Sequence, residues 1–337
     1  MNTKRRLIEH QTIKSYSKRL DYIDLAKGVM ILLVIVGHLI QCYSLEAEKE
    51  PLHSFIYAFH MPLFFLLSGY VAGLTRGKMQ EQPFGNWIWG KAKSLLLPYF
   101  VWKLLIYPFV DTTYNMEWDW ESILHMLFIN PKEAGAWFLL SLFCLQVVCY
   151  PVLRYEKVWT LFFPTLVMAV GMLLGGSFYY ANVYFYASFF AGYYFFKYQG
   201  HILISSIATT TVLVFFLAAI IYPNPILLTL TSATALLYIC KSTQRKNEMG
   251  GAILLLYDLL IQIGKNTMAI YLLHHLFLIH IDPINTSGYR QTAIFAILLV
   301  VSFVVALLCV GVAKIIGYLP VLNMILFGKK TKMVKYC

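Results

Sequence analysis

Lys27 and His38 are the residues of this 337-residue chain whose types and spacing point most directly to chemistry. Eleven positions separate them, and at roughly 100° per residue those steps return to nearly the same helix face, about 16 Å along the axis. The segment between them is apolar enough to cross a bilayer, where a cation and an imidazole are costly unless a polar cavity receives them. The pair therefore predicts a site inside a membrane.

Further polar groups at predicted membrane depth are candidates to line the same cavity. His60 lies two positions before Pro62, which frees a backbone carbonyl in its helix. Of the adjacent His274 and His275, one is expected to face the helix bundle, because neighbours on a helix are turned by about 100°. The candidates for substrate or cavity contacts are Asp24, His60, Ser68, Glu133, Trp137 and His274.

The composition indicates that lipid, rather than water, surrounds most of the chain. Hydrophobic residues make up 59% and charged residues 13%, which in a soluble domain would leave large apolar patches exposed. The net charge of +11 is spread along one predicted membrane face, so topology and lipid headgroups explain it and no nucleic-acid partner is predicted. The six cysteines show no CxxC or CxxH spacing, so neither a metal site nor a disulfide framework is predicted.

Apolar runs of about 17 to 25 residues predict an all-α polytopic membrane protein with about ten transmembrane helices. The predicted spans are 23–43, 52–74, 87–110, 136–153, 158–175, 183–198, 202–222, 226–240, 264–281 and 293–318. The segment 250–262 is apolar but short and contains Asp258, which favours an interfacial or buried half-helix that leads into the ninth span. If it crosses the membrane instead, the count rises by one.

The distribution of lysine and arginine predicts that both termini are cytoplasmic, because these residues are retained on that side of the membrane. The chain then divides into a basic N-terminal tail at 1–22, a transmembrane domain at 23–318 and a basic C-terminal tail at 319–337. The N-terminal segment has no short apolar core followed by a small-residue cleavage site, so a cleaved signal peptide is not predicted.

Motifs in matching order resemble the membrane acyltransferase 3 family over about residues 20–320. They are Lys27-x10-His38, Phe-Phe-Leu-Leu-Ser-Gly-Tyr at 64–70, Leu-Leu-Leu-Pro-Tyr-Phe at 95–100, Gly-Ala-Trp-Phe-Leu at 135–139 and Gly-Lys-Asn-Thr-Met-Ala-Ile-Tyr-Leu-Leu-His at 264–274. The His-Met-Pro-Leu-Phe-Phe run is most similar to the fucose 4-O-acetylase-like branch, whose members modify sugars.

The resemblance implies a multi-pass enzyme of the bacterial cytoplasmic (inner) membrane. Such an enzyme moves an acyl group, often acetyl from acetyl-CoA, onto a hydroxyl of a sugar, glycolipid or cell-envelope glycan, with acyl-CoA as donor substrate and no bound cofactor. By resemblance, Lys27 and His38 are the catalytic residues. One departure is that the family's Arg-x-x-Arg pair before the Leu-x-Pro-Tyr run is replaced by Gly90 and Lys93, with Lys91 nearby. Lysine keeps the charge but lacks the planar fork that suits phosphate.

Acyl transfer from a thioester to an alcohol needs a base to take the hydroxyl proton, and histidine is the natural candidate near neutral pH. His38 is therefore predicted to be the general base and Lys27 a donor-side or orienting cation. The predicted cytoplasmic cations that could hold the phosphates of the donor are Arg76, Lys91 and Lys93. The alternative is a proton-coupled transporter or exporter, which intramembrane histidine, lysine and aspartate also suit, although no inverted repeat is visible.

Overall fold

The computed structural model describes residues 20–43, 50–110, 119–129, 135–173, 183–202, 250–278 and 291–329. These residues form helices and connecting turns, with no β-strand among them. Several predictions fall on residues that lie outside the described ones: 1–19 of the N-terminal tail, Glu133, 203–222 of the span 202–222, the span 226–240 and 330–337 of the C-terminal tail.

The helices are numbered here in chain order. They are α1 (Asp21–Tyr43), α2 (Pro51–Gln80), α3 (the consecutive segments Phe84–Lys91, Ala92–Leu96, Leu97–Val101, Trp102–Ile106 and Tyr107–Val110), α4 (Trp120–Leu124, continued by His125–Ile129), α5 (Trp137–Tyr155), α6 (Val158–Leu161, continued by Phe162–Leu173), α7 (Val183–Ile202), α8 (Gly251–Lys265), α9 (Thr267–Leu278), α10 (Gln291–Gly317) and α11 (Pro320–Phe327). The segments Ala92–Leu96, Trp102–Ile106 and His125–Ile129 are π-helical. Such wide turns are frequent at functional sites.

Several of these helices have the length and composition of membrane spans. Among the described residues, α1, α2, α5 and α10 each qualify alone, while α8 and α9 are too short to do so and qualify only as a pair, with a bend of 88° between them. The all-α membrane architecture is thus confirmed, and the half-helix predicted at 250–262 is α8. The number of spans and the cytoplasmic side of the termini stay predictions.

Helix α1 is the central element of the bundle. In its apolar window 78% of residues are buried, against 39% for α10, and α1 packs against α2, α8, α9 and α10. A helix that is apolar and buried on most sides belongs in the interior, whereas a helix with a wide exposed apolar face suits contact with lipid. Residues on α1 are therefore shielded from lipid by neighbouring helices.

The crossing of α1 and α8 depends on two glycines. A Cβ atom added at Gly28 would overlap the backbone carbonyl oxygen of Leu260, and one added at Gly264 would overlap that of Asp24. Small residues let helix backbones approach this closely in membranes. The contact holds α8 against the polar end of α1 and so determines where Lys27 and Lys265 lie relative to each other.

The segment predicted as the C-terminal tail begins with helix α11, which packs on α3. The indole Nε1 of Trp102 donates to the Leu326 carbonyl oxygen at 2.9 Å. Just beyond α11, the Lys329 Nζ atom lies 3.0 Å from the Asn266 Oδ1 atom. This part of the chain therefore ties α3 to the bend between α8 and α9.

We predict opposite effects of alanine at two helical glycines. Glycine to alanine in a helix interior ordinarily stabilises by about 1 kcal/mol, but Gly28→Ala forces α1 away from α8 and should destabilise by roughly 1–3 kcal/mol, as overpacking does. Gly311→Ala on α10 is the matched control, because no atom lies within 4 Å of its added Cβ. Thermal unfolding of the purified proteins in detergent measures both. Unfolding midpoints equal to or above the wild-type value in both variants would contradict the close crossing of α1 and α8.

Candidate functional site

A partly open cavity of about 220 Å³ lies between α1, α2, α3, α5 and the α8–α9 pair. On α1 its wall is formed by Lys27, Ile31 and Val34, whose spacing puts them on one face of the helix. His38 is the next residue on that stripe, about 6 Å further along the axis than Val34. The face predicted from the Lys27–His38 spacing is therefore the face that borders the cavity.

Helix α9 approaches the part of α1 that carries His38. Tyr271 lines the cavity, and His274 and His275 follow one turn later. The ring centroid of His38 lies 5.2 Å from that of His274 and 4.7 Å from that of His275. The cavity wall thus contains two lysines, and a cluster of three histidines lies about one helical turn beyond the wall residues Val34 and Tyr271.

The cationic end is formed by Lys27 and Lys265, which both line the cavity. The Lys27 Nζ atom is 4.0 Å from the Asp24 Oδ1 atom, and the Asp24 side chain is 2% exposed while that of Lys27 is 27% exposed. Asp24 therefore pairs with Lys27. The lysine keeps access to the cavity despite this pairing.

The bend between α8 and α9 also contributes to the cationic end. Asn266 Nδ2 donates to the Gln262 carbonyl oxygen at 3.0 Å, and Thr267 Oγ1 donates to that of Gly264 at 2.6 Å, so side chains cap the carbonyl end of α8. Thr267 and Met268, the first residues of α9, line the cavity. The N-terminus of α9, with its partial positive charge, therefore lies beside the two lysines.

The surroundings of His38 assign its ring hydrogen. Nδ1 of His38 lies 2.9 Å from Oε1 of Gln41 and 3.4 Å from the Tyr57 hydroxyl. Because an amide carbonyl oxygen can only accept, Nδ1 donates to Gln41 and Nε2 keeps its lone pair. His38 therefore presents a basic nitrogen, and the group that holds its ring in place is an amide.

His274 and His60 have the same ring assignment. Nδ1 of His274 donates to the Ile270 carbonyl oxygen at 2.9 Å, and Nδ1 of His60 donates to that of Ile56 at 2.8 Å. Nε2 of His274 is buried and has no hydrogen-bond partner among the described residues. His60 lies beside the cluster, with its ring 4.7 Å from that of Tyr57.

Apolar side chains line the cavity between its two ends, among them Met61, Phe64 and Phe138. Ser68 also lines it, and its hydroxyl donates to the Phe64 carbonyl oxygen at 2.8 Å. Trp137 precedes Phe138 but stacks on Phe185, with ring centroids 5.8 Å apart. The middle of the cavity therefore suits an apolar or uncharged chain rather than an ion.

The other predicted cations make contacts elsewhere. Arg76 Nη2 lies 3.1 Å from Glu156 Oε2, and Arg76 Nε donates to the Leu153 carbonyl oxygen at 2.8 Å. Lys91 and Lys93 lie over the rings of Trp87 and Trp89, at 5.9 and 4.7 Å from the centroids. None of the three cations is part of the described cavity wall. Their role in donor binding stays a prediction.

Sequence reasoning did not single out Gln41, Tyr57 or Tyr271, or the cavity position of Lys265. Gln41 is three residues after His38, a helical spacing that puts the two on neighbouring positions of one face, so this signal was present in the chain. Tyr57 reaches the site from α2, and no spacing within the sequence indicates that contact. Lys103 was missed as well; it is fully buried, and its Nζ donates to the Met126 carbonyl oxygen at 3.1 Å.

Together, the apolar helices and the internal cavity define a helical membrane protein with a candidate site inside its bundle. The profile of the acyltransferase 3 family, described as an acyltransferase domain, matches residues 20–311. The chain therefore belongs to the acyltransferase 3 family, and the resemblance indicated by its motifs is confirmed.

Curated relatives match a shorter part of the chain. Nodulation protein NolL of Mesorhizobium japonicum is 40% identical over 88 residues, which are 25% of this chain and 23% of the relative. Nodulation protein NolL of Sinorhizobium fredii is 37% identical over 87 residues, with the same shares of 25% and 23%. The alignments thus span about a quarter of each protein. No solved structure matches the chain significantly.

The Arg76–Glu156 contact gives a prediction about stability. Glu156 also accepts a hydrogen bond from the Tyr193 hydroxyl and lies 3.3 Å from Lys197 Nζ. Partial burial opposes ionisation, but the hydrogen bond and the two cations outweigh it and lower the pKa of the Glu156 carboxyl. We expect Glu156→Gln to destabilise the protein by roughly 0.5–1 kcal/mol at neutral pH.

The pH dependence of this loss follows from the direction of the pKa shift. Because the folded pKa is lowered, the stabilisation is fully present above the ordinary glutamate pKa of about 4.3 and is lost as the pH falls through the lower folded value. Thermal unfolding in detergent across this pH range measures the difference between wild type and Glu156→Gln, with the exposed Glu81→Gln as control. A difference that does not shrink on acidification would contradict the ionised role of Glu156.

Proposed function

We propose that this protein is an integral membrane O-acyltransferase that moves an acyl group, most simply acetyl, from acyl-CoA to a hydroxyl of a sugar, glycolipid or cell-envelope glycan. Its proposed location is the bacterial cytoplasmic membrane. The observation that carries the proposal is a cavity with two cations in its wall and a histidine cluster about one turn beyond that wall on α1 and α9. An acyl-CoA donor has a distribution of charge that matches the cavity, because its head is anionic and its thioester lies at the end of a long neutral arm.

His38 is the proposed general base. Its Nε2 takes the proton of the acceptor hydroxyl as the oxygen forms a bond to the thioester carbonyl carbon. The carbon–sulfur bond then breaks, and the protonated His38 returns its proton to the departing CoA thiolate. The hydrogen bond from Nδ1 to Gln41 supports this role, because it keeps the lone pair on Nε2 and stabilises the imidazolium that forms.

Lys27, Lys265 and the N-terminus of α9 are the proposed contacts for the phosphates of the donor. Both lysines line the cavity, and a helix N-terminus presents N–H groups and partial positive charge to an anion. We favour this set over Arg76, whose guanidinium is paired with Glu156. Lys91 and Lys93 remain candidate outer contacts for the same phosphates.

The acceptor is proposed to approach the histidine end of the cavity. His60, Ser68 and His274 supply polar groups in or beside the cavity, and Trp137 offers an aromatic surface next to the cavity residue Phe138. These are proposed acceptor or cavity contacts, with the bilayer holding a glycolipid acceptor near the site. Glu133 is proposed on the sequence alone.

The first test of this function is transfer of label from radioactive acetyl-CoA to endogenous glycan or glycolipid in membranes that contain the protein. We expect His38→Asn to lower the rate by about 10²- to 10⁴-fold, the usual contribution of a general base. His125→Asn, which removes an exposed histidine of α4, should leave the rate unchanged. Variants are compared at equal folded abundance.

The outcomes separate the residue assignment from the enzyme class. Unchanged transfer by folded His38→Asn would refute the role of His38 while leaving the acyltransferase intact. If the wild type transfers no label although acceptor-containing membranes and acetyl-CoA are present, acetyl-CoA is not its donor. Donor-independent movement of a small molecule across the membrane would instead favour the carrier considered from the sequence.

Gln41 is predicted to be a positioning residue for His38. Gln41→Leu removes the acceptor for Nδ1, and we expect kcat to fall about tenfold, the value of one hydrogen bond of about 1.4 kcal/mol, with KM for acetyl-CoA unchanged. Gln41→Glu keeps an acceptor oxygen and should recover most of kcat. Gln262→Leu, at an exposed position of α8, is the control. A merely structural role would lower kcat equally in the leucine and glutamate variants.

A further inference from the structure

His38, His274 and His275 form a cluster with the geometry of a metal-binding site. Each residue offers one ring nitrogen, and the three nitrogens lie within 4.8 Å of one another. Two of the residues come from α9 and one from α1, so the cluster exists only because these helices pack together. Around a tetrahedral Zn²⁺ ion, ligand nitrogens at 2.0–2.1 Å would be about 3.3 Å apart, a distance that modest ring rotations can reach.

The hydrogen bonds of His38 and His274 leave the second ring nitrogen of each residue free to act as a ligand. Nδ1 of His274 donates to the Ile270 carbonyl oxygen, which leaves a lone pair on the buried Nε2 that has no hydrogen-bond partner among the described residues. Nδ1 of His38 donates to Gln41 in the same way. Metal-binding histidines typically donate their second ring nitrogen to a carbonyl or carboxyl oxygen like this, which fixes the ring orientation.

The buried Nε2 of His274 is an acceptor that has no donor among the described residues. Such a buried acceptor costs about 1–3 kcal/mol, and a cation bound by this nitrogen removes that cost. Neutral imidazole suits ions such as Zn²⁺, Cu²⁺ and Ni²⁺, whereas Mg²⁺ and Ca²⁺ prefer oxygen ligands. Three histidines with an open fourth position are an established ligand set for Zn²⁺.

We propose that the three-histidine cluster binds a zinc-class divalent ion and that this ion inhibits acyl transfer by occupying the lone pair of His38. The inhibitory part rests on the proposed function, because it assumes that His38 Nε2 must be free to take a proton. Metal binding itself depends only on the geometry of the cluster.

The binding test uses Co²⁺, whose visible absorption reports on tetrahedral nitrogen ligation. The full chain is purified in detergent without a polyhistidine tag, treated with a chelator and titrated with Co²⁺, and the bound ion is then displaced with Zn²⁺. We expect saturation at one equivalent for wild type. His275→Gln and, separately, His274→Gln should each weaken binding by at least about 10-fold, since loss of even an outer hydrogen-bond partner has such an effect. The control His125→Gln should bind as wild type does.

The activity test follows labelled transfer from acetyl-CoA against Zn²⁺ concentration, each protein being compared with its own metal-free rate. We expect Zn²⁺ to inhibit wild type at the concentration at which it binds, and the midpoint to rise in His275→Gln by the same factor as the binding constant. Absent Co²⁺ absorption, or equal binding by folded His275→Gln, His274→Gln and wild type, overturns the metal site. Activation by Zn²⁺ overturns the inhibitory role. If no protein transfers label, the proposed function and the inhibition fail together, while the Co²⁺ titration still decides the site.

Discussion

The close backbone contact between α1 and α8 is the constraint on which the rest of the site depends. A cation and an imidazole on one membrane helix are tolerated only where protein shields them from lipid, and here α8 provides that shield at the cationic end. Gly28 and Gly264 allow the two backbones to meet without intervening side chains. Any larger residue at either position would separate the helices and open the cavity beside Lys27.

The bend at Asn266 adds a second device to this contact. A straight helix would have continued past α1 in one direction, whereas the 88° bend turns α9 so that its first residues border the cavity and its last turn brings histidines to His38. The side chains of Asn266 and Thr267 satisfy carbonyl groups that the break leaves open. Broken helices of this kind are stable in membranes only where their free backbone groups are capped or line a cavity.

The cavity joins a cationic end to an apolar middle, and this distribution of charge suits the proposed thioester donor. One end holds Lys27 and Lys265, with Asp24 compensating part of the charge. Beyond the other end lie three histidines, and Nδ1 of His38 and of His274 each donates a hydrogen bond, to Gln41 and to the Ile270 carbonyl oxygen. Neutral imidazoles can take up a proton or a metal ion, so the proposed base and the proposed metal site draw on the same rings.

The sequence by itself determined the membrane class, the family and the shared face of Lys27 and His38. Apolar length and helical periodicity are local properties, and they are sufficient to predict that Lys27 and His38 share a face of α1. The sequence also predicted a half-helix at 250–262, which corresponds to α8, since a short apolar run that contains Asp258 is too polar to cross the membrane alone. Motif order over the whole chain was enough to indicate the acyltransferase 3 family.

Only the tertiary structure decided which residues meet. The pairing of Arg76 with Glu156, the contact of Tyr57 with His38 and the meeting of His38 with His274 and His275 join residues far apart in the chain. Such contacts depend on how helices cross and bend, and helix periodicity carries no information about the partner that a face will meet. The sequence therefore placed the proposed base on its helix, while packing at Gly28 and the bend at Asn266 supplied the cavity and brought the other two histidines to His38.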